Sequence, residues 1–376
     1  MSGQQPPEPA DGGEDADLTA IRDRIEALDG TLMDLIEERV SLATNAGEVK
    51  RRNGLAPRDF VVERTVVDRF RRGFDDRGLD ADAGERIAHE LFTETLRTQE
   101  ERVRQLGSVT EQRVLIVGGA GQMGVWLTDY FDTLGHEVAI YDIVGAVAGH
   151  PMVDDLRDAA ETVDSVVVSV PPDAVRSVLA ELEGVDTPII EIASLKAPFI
   201  DELLRLASQQ PVASVHPMWG PATSVLSDKY LILCDCESPE GTEAARTLFE
   251  PSMASIVEIP LSEHDEAMVY TQVLPQAISL LFAEVTSGSP FTLEELDERA
   301  GGSFIRQAGV TEGVVHRDPQ LYRQIQALNE HAPALYDRIE DAIGQLLLDR
   351  TDPAAFTDAM RRYRHYFNGN VEARHP

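Results

Sequence analysis

The stretch Arg113-Val-Leu-Ile-Val-Gly-Gly-Ala-Gly-Gln-Met-Gly-Val-Trp126 is an apolar run that breaks into glycines and resumes with helical spacing. Val114 to Val117 read as a short buried strand, and Gly119, Gly121 and Gly124 fall at the spacing G-x-G-x-x-G. In that spacing the first glycine permits the tight turn, the second lets backbone approach a pyrophosphate, and the third lets the helix pack closely on the strand. The helix N-terminus is then left facing the phosphates. Glycines alone are weak evidence, since a glycine-rich turn in another α/β protein shows the same letters. Here they follow a strand and open a helix, and a second strand, Glu137-Val-Ala-Ile-Tyr141, ends at Asp142, about the interval of a ribose-binding carboxylate. A carboxylate there disfavours a 2′-phosphate, so NAD is favoured over NADP.

Downstream, further short apolar runs read as strands at 164–170, 188–193, 212–216, 230–235 and 255–259, with helical segments between the early ones. Alternating β and α elements predict a largely parallel, doubly wound Rossmann-like sheet. Ser169-Val-Pro-Pro172 closes one strand, placing Ser169 and Pro171 at the carboxyl edge where the cofactor crevice forms. Two more strand ends carry polar groups: Ile192-Ala-Ser-Leu-Lys196 and Ser214-Val-His-Pro-Met-Trp-Gly-Pro221. His216, fixed by Pro217 ahead of a turn, suits a general base or hydrogen-bond acceptor.

Upstream, residues 1–15 carry too little apolar surface to offset ordering entropy and are expected to form a disordered acidic tail. From Asp17, Leu18, Ile21, Ile25, Leu28, Leu32 and Leu35 step by three and four, and the seam resumes at Leu42, Ala46 and Val49. A helix to Asn53, stopped by Gly54 and Pro57, would be about 55 Å long. That is long for a small domain, so the seam is expected to pack on a second copy of the chain. One seam position is occupied by Arg39, which needs an anion if it turns inward. Lys50, eleven residues on, shares nearly its face, whereas Arg22 points about 100° away, toward a neighbour. A second helix carries Asp59 and Glu63 at i and i+4. A third, from Asp82 to Leu106, carries Thr95 and Gln99 at the same interval. Each pair alone reads as solvated surface; with a seam arginine they read as a polar pocket inside a bundle.

The chain has 376 residues, enough for two or three domains, and a formal charge of −33. Such a surface argues against nucleic acid or anionic membrane as partner. The apolar runs are strand-sized and no signal peptide is legible, so a cytoplasmic location is expected. Lysine occurs only at positions 50, 196 and 229, and this acidic, lysine-poor balance resembles proteins from salt-accumulating halophiles. The cysteines, Cys234 and Cys236, share one strand face and lack further thiolates for a metal site, so no metal is expected.

Leu18-Thr-Ala-Ile-Arg-Asp-Arg-Ile-Glu-Ala-Leu-Asp29, Glu38-Arg-Val-Ser-Leu-Ala43, Gly47-Glu-Val-Lys50 and Pro57-Arg-Asp59 resemble the motifs of the helical chorismate mutase family. The resemblance implies that Arg39 and a partner-donated Arg22 bind the substrate carboxylates. Lys50 and Gln99 would attend the ether oxygen and Asp59 and Glu63 the hydroxyl side, with Thr95 in place of a family serine. One departure is Val62, where the family has arginine; Arg64 is a nearby substitute. His-Pro-Met-aromatic-Gly-Pro at 216–221, Ala-Ser-apolar-Lys at 193–196, Val-Gly-Gly-x-Gly-Gln-Met-Gly at 117–124 and Glu263-His-Asp265 are similar to the prephenate dehydrogenase family. Gln122 and Met123 thereby join Gly119, Gly121, Gly124 and Asp142 in the cofactor-binding set.

That second resemblance implies a proton acceptor at His216, aligned by Ser194, with His264 near the nicotinamide and substrate. The fusion resembles the bifunctional mutase–dehydrogenases of tyrosine biosynthesis, which rearrange chorismate to prephenate and convert prephenate to 4-hydroxyphenylpyruvate with NAD. A family arginine for the ring carboxylate aligns with Gly313, leaving Arg306 and Arg317 as candidates. Preference for the amino analogue arogenate, or a non-catalytic NAD-binding scaffold, stays open on these letters. The expected layout is a helical mutase bundle over 16–108, a Rossmann domain over 109–260, and a helical dimerisation and substrate domain over 261–376. The last is read from amphipathic segments at 262–287, 293–308, 318–349 and 352–367. No separate regulatory domain is legible after it.

Overall fold

The computed structural model describes residues 13–53, 60–106, 110–227 and 229–369, which divide into two compact units, 1–103 and 104–376. Most of the expected acidic tail, together with Gly54, Pro57, Asp59 and residues 107–109 of the linker, lies outside the described residues.

The first unit holds three helices, α1 (Gly13–Arg52), α2 (Phe60–Asp75) and α3 (Ala81–Leu106). α1 runs 40 residues, four more at its start than the apolar seam alone marks out, or about 60 Å. Only its second half has a core: Val40 and Thr44 are buried, as are Ala88, Leu91, Thr95 and Gln99 of α3. Arg102 ties the two helices at their far end, donating to Asn45 Oδ1 at 3.1 Å and Glu48 Oε1 at 2.8 Å. In the first half Leu18, Ile21, Ile25, Leu28, Leu32 and Leu35 stay 49–58% exposed. A heptad stripe left that open has no covering partner among the described residues.

The second unit is built on seven strands: β1 (Arg113–Val117), β2 (Glu137–Tyr141), β3 (Ser165–Val168), β4 (Ile189–Glu191), β5 (Val212–Pro217), β6 (Tyr230–Asp235) and β7 (Ser255–Pro260). Their order is β2-β1-β3-β4-β5-β6-β7. All neighbours are parallel except β5 and β6, which run antiparallel with Ser214 opposite Cys234 and His216 opposite Ile232. Both faces are covered, which is why β1 and β3 are unbroken apolar runs. Leu115, Val117, Val166 and Val168 join one core with Leu179, Phe199 and Leu203. Val114, Ile116 and Val167 join the other with Leu127, Phe131 and Phe249.

Beyond β7 the chain is helical. Leu261–Met268 runs through a π-helical turn, Val269–Val273, into Leu274–Ser287. Pro275 has no amide to donate, and the wider turn, with Leu274 N–H bonding Val269 O, absorbs the fault. By length and composition alone the run Leu261–Ser287 could cross a membrane, a match that the strand-sized apolar runs did not suggest. In this fold its first turns hold the buried His264 and Asp265, while Val269 and Val273 pack with Ile325, Ala332 and Leu335. Two expected helices are each divided. Glu298 to Gly301 separate Leu293–Asp297 from Gly302–Val315. Asn329 to His331 separate Pro319–Leu328 from Ala332–Asp349, where Pro333 fits only near a helix start. Pro353–Gly369 is the last helix.

Candidate active sites

In the helical unit, α1 carries Arg39, Ala43, Gly47 and Lys50 along one face. α3 meets that face closely: Gln99 Nε2 donates to Ala43 O at 3.1 Å, and a β-carbon at Gly47 would collide with the Gln99 amide. The Thr95 hydroxyl donates to Leu91 O within its own helix. Arg39 is half-buried over the Phe92 ring, 5.6 Å from its centroid, and reaches only Leu91 O at 3.4 Å. No carboxylate pairs with it among the described residues. Burial lowers its pKa, and the neighbouring Arg69 guanidinium lowers it further. Arg69 was not singled out in the sequence, yet it lies seven residues after Val62, two turns along the same face of α2. Lys50 and Glu63 are half-buried, whereas Arg22 is exposed about 25 Å from Arg39 along α1. One chain therefore brings Arg39, Lys50, Thr95 and Gln99 together but not Arg22.

The dinucleotide cradle lies between β1, β2 and β3. The turn glycine is Gly118, at φ +84°, rather than Gly119, which the spacing had marked for that task. Gly119 is needed because a β-carbon would strike Ile140, and Gly124 because one would strike the Gly118 carbonyl. The helix Gln122–Thr133 starts at Gly121 with no side-chain cap, so its first amides remain open. Asp142 Oδ2 accepts from Ala120 N at 2.9 Å, and Oδ1 accepts from Val144 N at 2.7 Å. The carboxylate thus braces the turn it faces. Gly118, Gly121, Asp142, Ser169 and Pro171 line a cavity of about 490 Å³. Gln122 lines a shallower hollow beside it with Pro221 and Ala222, and Met123 is half-buried in the first helical turn. Backbone amides, a close-approach turn and a carboxylate at the ribose position fit a bound NAD.

At the carboxyl end of β5, His216 is buried. Its Nδ1 lies 3.0 Å from His264 Nε2, and His264 Nδ1 lies 2.6 Å from Asp265 Oδ1. Asp265 also accepts from the amides of Lys196, at 3.0 and 3.2 Å, and of Ala197, at 2.7 Å. Burial, then His264 and Lys196, hold His216 well below the ordinary imidazole value; burial lowers His264 as well, against the pull of Asp265. For Asp265, burial pushes upward, but the bonds from His264 and the two amides outweigh it and leave the carboxyl low. His216 Nε2 makes no hydrogen bond among the described residues. Ser194, expected to align it, is half-buried and makes none either.

Beneath this cluster Lys196 is fully buried. Its Nζ donates to Glu191 Oε2 at 2.8 Å, Ala193 O at 2.6 Å and Val215 O at 2.9 Å. Burial raises the Glu191 pKa, opposed by Lys196, the Ser214 hydroxyl at 2.8 Å and the Ala193 amide. Glu191 was overlooked, although an acid inside Ile189-Ile190-Glu191-Ile192, five residues before one of three lysines, was a legible signal. Cys234 and Cys236 are free and buried, their thiols pushed up to about 11 and about 12 by burial, which makes them inert. Of the two candidate arginines, Arg306 lies back against Gly302 of its own helix. Arg317 Nη1 comes within 3.2 Å of a β-carbon placed on Gly220, in the loop after His216. Gly313 has open space around it.

A helical bundle with a half-buried arginine that meets no anion among the described residues, followed by a Rossmann-type sheet with a glycine cradle and a buried histidine at a strand's carboxyl end, defines a two-domain enzyme with an NAD-binding half. The chorismate mutase type II family model matches residues 21–100, and that of the prephenate dehydrogenase nucleotide-binding domain matches residues 147–258. The chain is 26% identical to the T-protein of Enterobacter agglomerans, with 95% of each covered. It is 22% identical to the T-protein of Haemophilus influenzae, with 94% of this chain and 93% of that one covered. Among solved structures, prephenate dehydrogenase from A. aeolicus in complex with hydroxyphenyl propionate and NAD+ shares the fold with a TM-score of 0.53. Identity there is 17%, over 69% of this chain and 99% of that one. This chain therefore carries a chorismate mutase domain and a prephenate dehydrogenase domain in one polypeptide.

Proposed function

We propose that the bundle rearranges chorismate to prephenate and that the second unit converts prephenate to 4-hydroxyphenylpyruvate and carbon dioxide. For the rearrangement, Arg39 and Arg69 supply fixed positive charge for the substrate carboxylates. Lys50 and the Gln99 amide stand where negative charge grows on the departing ether oxygen, and Asp59 and Glu63 attend the hydroxyl side. No covalent catalyst is needed; orientation and preorganised charge lower the barrier. The observation that carries this half is the half-buried Arg39, which pairs with no carboxylate among the described residues.

For the second reaction, bound NAD supplies a hydride acceptor. His216 Nε2 takes the proton of the ring hydroxyl as hydride leaves the same carbon, and returns it to the phenolate after carbon dioxide has gone. Aromatisation makes the sequence irreversible. Ser194, on the neighbouring strand end, and Arg317, beside Gly220, face the substrate, with Arg317 as carboxylate anchor. The carrying observation is that the Nε2 of His216, a buried histidine held toward its neutral form at the carboxyl end of β5, makes no hydrogen bond among the described residues.

A homodimer follows from α1: its open seam and the 25 Å gap along the helix make the partner subunit's Arg22 the missing member of each mutase site. In this reading residues 16–108 are the mutase domain, 109–260 bind NAD, and 261–376 dimerise and cover the substrate. A cytoplasmic setting suits a biosynthetic enzyme drawing on NAD, and an acidic surface suits neither nucleic acid nor anionic lipid. The charge of −33 with three lysines supports a halophilic origin; unchanged folding after dialysis into low salt would count against it. The deciding assay gives the protein chorismate in high salt with and without NAD. Prephenate without cofactor and NADH on its addition support both halves; neither product overturns them.

A further inference from the structure

We infer that Asp265, through His264, fixes the tautomer of His216 and so keeps its Nε2 unprotonated and able to accept a proton. This deepens the dehydrogenase reading and rests on it.

Asp265 holds Oδ1 2.6 Å from His264 Nδ1. A carboxylate can only accept, so His264 Nδ1 carries a hydrogen and donates it. In a neutral imidazole the other nitrogen is then an acceptor, and His264 Nε2 lies 3.0 Å from His216 Nδ1. His216 Nδ1 therefore donates, and its Nε2 is left with a lone pair. Each tautomer dictates the next along the chain Asp265, His264, His216, and the lone pair emerges where the substrate hydroxyl arrives.

Three features support this polarity. His216 and His264 are both buried and both shifted toward the neutral form, so a doubly protonated ring does not blur the alternation. Asp265 is held ionised by the amides of Lys196 and Ala197, which donate to it from the strand end that bears Ser194. The Asp265 carbonyl in turn accepts from Asn329 Nδ2 at 2.9 Å, which fixes the first turns of the long C-terminal helix. His264 and Asp265 are thus positioning residues: neither presents a free atom to the substrate, and both act through His216.

The test uses variants that differ in which way they can pass a hydrogen. Asp265→Asn keeps the shape, but its amide can donate to His264 Nδ1, which reverses both rings and protonates His216 Nε2. The kcat on prephenate should fall on the order of 100-fold or more, as wrong-tautomer variants of relay sites do, with Kd for NAD unchanged. His264→Gln can still accept from His216 through Oε1 and should lose no more than about tenfold; His264→Leu cannot accept and should lose as much as Asp265→Asn. Adding His264→Gln to Asp265→Asn removes the reversible ring, so the double variant should be at least about tenfold faster than Asp265→Asn alone. A purely structural role would make the double variant the worst of the set, and that order, among folded proteins, overturns the relay. Imidazole 15N chemical shifts read the same point without turnover: His216 Nε2 should be unprotonated in the native protein and protonated in Asp265→Asn. A protonated Nε2 in the native protein overturns the relay. Lack of native turnover with prephenate would overturn the dehydrogenase reading while leaving the NMR result to decide the tautomer.

Discussion

Arg317 Nη1 approaches within 3.2 Å of the position a β-carbon would take on Gly220, four residues past His216. The guanidinium comes from two residues past the helix Gly302–Val315, and no carboxylate pairs with it among the described residues of a strongly acidic chain. Arg317→Ala should raise KM for prephenate by about 10- to 100-fold, the worth of one charge-assisted hydrogen bond, with a smaller change in kcat. Arg306→Ala should change neither much. Steady-state kinetics on prephenate and on arogenate with both variants separates carboxylate anchoring from side-chain preference.

In the proposed dimer the mutase half takes groups from two copies. Arg22→Ala and Lys50→Ala should each abolish prephenate formation while leaving NADH production from added prephenate intact. Mixing and refolding the two inactive variants together should restore about a quarter of the native mutase sites, because half the dimers contain one site with neither lesion. No recovery on mixing would mean that Arg22 serves the site of its own chain.

Beside Arg39, Arg69→Ala should cut mutase kcat/KM by about tenfold or more by removing positive charge next to the substrate carboxylates. Arg64→Ala, a turn away on α2, should have little effect. The comparison shows which residue takes over where Val62 replaces an arginine.

Lys196 and Glu191 form a buried ion pair whose partners cannot be removed singly without leaving a charge in the core. Lys196→Met or Glu191→Leu alone should cost about 3–5 kcal/mol, whereas the pair of changes together should recover much of it. Thermal unfolding in high salt measures this. Dehydrogenase activity should not recover in parallel, because Lys196 Nζ also pins the carbonyls of Ala193 and Val215, the residues just before Ser194 and His216.

The lowered pKa of His216 gives a pH dependence of definite sign. An unfolded imidazole protonates below about 6.5, while the buried one stays neutral, so the unfolded state binds more protons as pH drops through that range. Stability should therefore fall as pH falls below about 6.5 and level off below the folded pKa of His216. The acid limb of dehydrogenase kcat/KM should lie below the same value, since the proton acceptor remains neutral there. An acid limb above about 6.5 would contradict the burial argument.

The sheet was legible because both of its faces are covered, so strands such as Val114 to Val117 stand out as unbroken apolar runs. The seam of α1 was legible for the opposite reason: nothing among the described residues covers it, and its heptads stay regular. Gly118 escaped notice because Gly119, Gly121 and Gly124 complete the G-x-G-x-x-G spacing without it, and only φ shows which glycine turns. Breaks at Gly301 and Asn329 interrupt patterns that otherwise continue in phase, so periodicity alone joins them. The contacts of His216 were the least legible. Ser194 is near in the motif, whereas His264 is 48 residues away and arrives through tertiary packing.

Asp265 accepts from the loop after β4, while Asn329 holds the Asp265 carbonyl. This stitch makes the nucleotide-binding half and the helical C-terminal half one working part. A cut near residue 260 would leave a sheet with its glycine cradle intact and a histidine without direction. Recombination or design that exchanges substrate-covering helices among such enzymes must therefore carry the His264–Asp265 turn together with the β4 and β5 loops it faces, or inherit a cofactor site without a proton acceptor.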